Sequence, residues 1–105
     1  MSAQPKLDFN RELYDRRDAI LCGVWEKVQP YVGRAVSVTR WKTRNRAVAL
    51  DLARLGFTAE RVVRAWELAS TEWGEPVREI SYVQRFIEKA AANKAIRDRE
   101  KGAHG

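Results

Sequence analysis

Apolar residues recur along almost the whole chain at steps of three and four, and this spacing places side chains on one face of an α-helix. Leu13, Ile20, Leu21, Val24 and Val28 form one such stripe; Trp41, Val48, Leu52 and Leu55 form a second, with Ala47 beside it. Val62, Trp66, Ala69 and Trp73 form a third, flanked by Val63 and Ala65. Tyr82, Val83, Phe86, Ile87, Ala90 and Ala91 form a fourth. Only Ala35 to Val38 alternates even briefly in the manner of a strand. The expectation is an all-α fold.

Helix-breaking residues divide the pattern. The first helix is expected from Asn10 to Gln29, ended by Pro30 and Gly33. A second, from Arg40 to Leu55, is closed by Gly56, because a left-handed cap costs glycine little. Thr58 reads as the N-cap of the third, with Glu60 in its first turn. Gly74 and Pro76 end that helix, and a connector leads to Ile80. Ser81 to Gln84 has the form of a capping box. The result is a compact four-helix domain over residues 9–92. Residues 1–8 are expected to be a flexible N-terminus, and residues 93–105 a frayed or disordered tail of mixed charge.

A chain of 105 residues allows one domain with a modest core. Cys22 is its single cysteine, so no intrachain disulfide supports that core. The N-terminus has no apolar run of signal-peptide type, and no segment approaches the ~18 consecutive apolar residues of a membrane span. The plainest expectation is a soluble cytoplasmic protein that makes no use of a membrane.

The formal net charge is +6, unevenly distributed. Residues 1–33 sum to zero, residues 34–54 carry +5, and residues 55–105 add +1. The middle segment holds Arg34, Arg40, Lys42, Arg44, Arg46 and Arg54 against Asp51 alone. A field so concentrated attracts polyanions. Within it lies Trp41, which by spacing belongs to the apolar stripe and by position stands in a first turn. Beside Arg40 and Arg44 its ring is placed either to close the core or to stack on an unpaired base while the arginines hold phosphates. Trp25, Trp66 and Trp73 fit the core by spacing.

Little in the sequence supports catalysis. His104, the sole histidine, is one residue from the end of the sequence; Cys22 lies mid-helix near the apolar stripe and reads as a buried structural thiol. Cysteine and histidine are too few for a metal site, and the glycines form no phosphate loop. Asp15 with Arg11 and Glu60 with Arg64 have the spacing of surface pairs. No enzyme, cofactor or metal centre is expected.

From Phe57 to Ala90 the chain reads FTAERVVRAWELAS, a connector, then ISYVQRFIEKAA. This resembles the DnaD-like domain of bacterial and phage replication-initiation and helicase-loading proteins. Tyr82, Val83, Phe86 and Ile87 match the first four apolar positions of that domain's motif helix. Lys89 stands at its asparagine, Glu88 at its lysine, and Ala90 where it has tryptophan. The resemblance implies a helical module without enzymatic activity that binds DNA, or a replication helicase or initiator. It covers about a third of the chain, and the chain would be a stand-alone module.

Three readings follow. In the first the chain binds nucleic acid, DNA ahead of RNA, through Arg34, Arg40, Lys42, Arg44, Arg46 and Arg54 with Trp41 stacking. By sequence spacing, Arg40 with Arg44 and Lys42 with Arg46 would make two adjacent ridges. In the second it is an adaptor or inhibitor that docks an acidic partner surface, or a homo-oligomer paired through its first helix. In the third the charge only keeps a small domain in solution.

Overall fold

Stripes of three- and four-residue period leave each helix with one face to bury, and four such faces close on a shared core. The computed structural model describes residues 3–104, with side chains from Asn10 to Arg99. The helices are α1 (Ala3–Val32), α2 (Val38–Arg54), α3 (Ala59–Trp73) and α4 (Ile80–His104), and no strand occurs among the described residues. Helix α1 packs on α2 and α3, and α4 packs on the same two. Ile20, Val24 and Val28 of α1, Leu52 of α2, Val62 of α3 and Val83 of α4 are wholly buried or nearly so. Gly23 lets α3 approach α1: a Cβ there would lie 3.1 Å from Val63 Cγ2.

Several boundaries differ from the sequence expectation. Helix α1 passes through Pro30 to Val32, because a proline in the last turn removes one donor while its fixed φ still suits a helix. Ser37, not a residue nearer Arg40, caps α2, and its hydroxyl accepts from Arg40 N at 3.2 Å. Thr58 caps α3 as expected, and Gly74 closes it with φ 74°. The capping box at Ser81 does not form the start of α4, which begins one residue earlier. The Ile80 N–H donates instead to Asn45 Oδ1 of α2 at 2.8 Å, so an orphan donor of α4 is satisfied from another helix.

The helices also take in residues 3–8 and 93–104, which the sequence reading left outside the domain; residues 1, 2 and 105 lie outside the described residues. Packing stops sooner than helix. From Glu88 to Arg99 every side chain is exposed. The radius of gyration, 16.5 Å, exceeds the ~13 Å of a compact chain of this length, because helix ends project from a compact centre.

Five expected core positions are at the surface: Leu55, Trp73, and Tyr82, Ala90 and Ala91 of α4, where Tyr82 points off the packed face and the last two lie past Ile87, beyond the reach of α2 and α3. Leu55 is 70% exposed because it is the C-cap of α2, beyond the last turn that faces α1. Trp73 is 46% exposed because α3 ends there and Gly74 turns the chain away.

Candidate nucleic-acid interface

The interface is built on α2, whose inward face decides where its cations can point. Trp41, Asn45, Ala49, Leu52 and Ala53 are buried. At about 100° per residue, Arg40 and Arg44 emerge on one flank of that face and Lys42 and Arg46 on the other. The two ridges are about 160° apart around the axis, not adjacent. Their surroundings agree. Lys42 Nζ lies 3.3 Å from Cys22 Sγ of α1, and Arg44 Nη1 lies 2.8 Å from Glu79 Oε1, just before α4. Between the ridges the back of α2 is low, formed by the exposed Thr39, Thr43 and Ala47.

Neutralisation differs among the six cations. Arg44 is paired with Glu79, and Arg54 Nη1 is 4.0 Å from Asp51 of its own helix. Arg34, in the turn between α1 and α2, and Arg40 and Arg46 are exposed; none has an ion-pair partner among the described residues. Lys42 is half-buried with a thiol, not a carboxylate, at its ammonium. Four of the six therefore have no carboxylate partner among the described residues. The pairs expected at Asp15–Arg11 and Glu60–Arg64 do not form; Arg17–Asp18 and Lys27–Glu67 do.

Trp41 is not a contact residue. It is 1% exposed, its ring lies 5.5 Å from that of Trp25 at 49°, and its indole N–H donates to Arg78 O at 2.9 Å. No base can reach a ring enclosed in this way. Its place among the arginines is explained by the helix: one residue on either side of a buried position already faces a flank. Cys22 departs from expectation in the opposite sense, since it is exposed.

Asn45 was not legible as part of this site, yet it organises it. At 2% exposure it donates from Nδ2 to Trp41 O at 2.9 Å and accepts from Ile80 N. Trp41 ties α2 to the connector 75–79, and Asn45 ties it to the first residue of α4. From the other side Trp66 Nε1 donates to Val77 O at 2.6 Å, and Val77 N donates to Ser70 Oγ at 3.1 Å. A five-residue segment without regular structure is thus held from two helices.

Of the residues that carry the DnaD-like resemblance, Val83 is buried, Phe86 and Ile87 are half-buried, and Tyr82 and Lys89 face solvent. No protein-family model matches the chain, and no match is found among curated proteins or solved structures. Among the described residues no three His, Cys, Asp or Glu side chains gather as a metal site, and no helix is long and apolar enough to cross a membrane.

Proposed function

We propose that the chain is a non-enzymatic helical module that binds nucleic acid, DNA ahead of RNA, across the outer back of α2. The observation that supports this most is the set of cations with no ion-pair partner among the described residues, Arg34, Arg40, Lys42 and Arg46, in a chain of net charge +6. Their division between two flanks suits a phosphate backbone that crosses α2 over Thr39, Thr43 and Ala47, where small side chains permit close approach. Phosphate contacts of this kind position a strand without reading its sequence. The preference for DNA, and for a replication helicase or initiator as protein partner, rests on the resemblance of residues 57–90 alone.

A mobility-shift titration with single- and double-stranded DNA and with RNA at several salt concentrations tests the proposal. With about four phosphates engaged, log affinity falls with log salt at a slope near −3 to −4. Replacing Arg34, Arg40, Lys42 and Arg46 together by glutamine removes most of that slope and leaves the helical circular dichroism intact. Binding indifferent to salt overturns the proposal. A tight complex with an acidic protein and no retained nucleic acid would establish the adaptor reading in its place.

A further inference from the structure

Two aromatic side chains that the α2 site does not use lie together at the surface. Trp73, at the end of α3, is 46% exposed, and Tyr82, in the first turn of α4, is 45% exposed. Their ring centroids are 6.0 Å apart at 87°, an edge-to-face pair. In such a pair the ring that offers its edge keeps both faces clear of its partner, and the other keeps one. They line an open groove of about 470 Å³ whose floor is Pro76 and Val77 and whose rim carries Glu75 and Arg78. Arg85 lies over the Tyr82 ring at 5.7 Å. Within the lining Arg78 balances Glu75, so the groove itself is neutral, with Arg85 beside it at Tyr82.

The groove adjoins the cationic flank of α2. The carbonyl of Arg78 is held by Trp41 of α2, and its sequence neighbour Glu79 is bound to Arg44. Arg78 thus belongs to both surfaces, bonded to α2 through its carbonyl and lining the groove, so a strand continued from Arg44 past Arg78 would reach Trp73 and Tyr82. The connector is held at Val77 and Arg78, and the start of α4 at Ile80, so the groove is preformed.

We infer that the Trp73–Tyr82 groove is a stacking platform for unpaired bases, making the module selective for single strands. This rests on the nucleic-acid reading of α2 and deepens it. A base paired inside a duplex hides its faces in the stack, whereas an unpaired base offers a π-face that an exposed indole can take up, with arginines beside it for the phosphates. The face is common to DNA and RNA bases, so the platform itself selects strandedness, and the choice of sugar belongs to other contacts.

The test titrates the full chain with oligothymidylate and oligouridylate of about 12 nucleotides and with a duplex of matched length, at two salt concentrations. Trp73→Ala is expected to weaken single-strand binding about tenfold or more, with the salt slope and the duplex affinity unchanged. Trp41 and Trp66 are buried and Trp25 is half-buried, so quenching of tryptophan emission by either oligonucleotide is expected to come from Trp73. Trp73→Phe, which keeps a ring to stack on, should retain most of the affinity and lose the quenching. Unchanged single-strand affinity in Trp73→Ala overturns the inference, as does equal loss on single strands and duplex. If that variant is inert while the fourfold glutamine variant loses salt-dependent binding, the platform fails and the α2 reading stands. If the unmodified chain binds neither form, both fail.

Discussion

Asn45 shows how much one side chain can carry when it sits between two elements. Its amide meets the Trp41 carbonyl within α2 and the first N–H of α4. Asn45→Ala leaves the buried Ile80 N–H without a partner, a loss of about 1–3 kcal/mol. Urea unfolding should show a lower midpoint with an unchanged slope. Nothing in the sequence marks this residue. A single polar position in an apolar stripe reads as a gap, and its partner is 35 residues away. Trp41 was half legible for the same reason. Its spacing placed it in the core, its neighbours suggested a contact, and only the position of Arg78 O decides between them.

The helices themselves were legible because burial repeats with the helical period, and Gly56, Thr58 and Gly74 act where local geometry alone sets the ends. Ends that depend on distant groups were not. Ser81 has a capping sequence, yet α4 starts at Ile80, whose N–H is taken by Asn45 of α2, so Ser81 lies inside the helix; Trp73 continues the stripe of α3 past the point where anything faces it. Helix α4 poses the same problem at its other end. It is packed through Ile87 and bare from Glu88 to Arg99, and helices of this length without tertiary support are marginal in water. Hydrogen exchange should therefore show strong protection of backbone amides up to about one turn beyond Ile87 and little from Lys94 onward. Protection continuing through residues 94–99 would mean that the helix end is covered by a second copy or another partner.

At the scale of the molecule, charge is the dominant feature, and it is only partly spent internally. The cationic bias of residues 34–54 was visible in the sequence; its arrangement was not, because a helix separates neighbours in sequence onto opposite flanks. Glu79 sets the balance on one flank by occupying Arg44. Exposed pairs of this kind contribute under about 1 kcal/mol to stability, so Glu79→Gln should leave unfolding nearly unchanged while freeing a cation. Polyanion affinity should rise, and the salt slope should steepen by about 0.7–0.9. An unchanged slope in the same titration would place Arg44 outside the path of the phosphates.

The anchored connector has a further consequence. Its sequence, Glu75-Pro76-Val77-Arg78-Glu79, has the look of an exposed loop with a tryptic site, the sort of segment where nicking concentrates. A protease must draw the chain into an extended, unshared backbone, and here the carbonyl on the scissile side of Arg78 is already engaged by a buried indole. Cleavage there requires withdrawing the connector from α2 and α3 together, whereas Lys89, Lys94, Arg97 and Arg99 lie on an unsupported helix end. Trypsin would thus shorten the molecule from its far end long before it cut after Arg78.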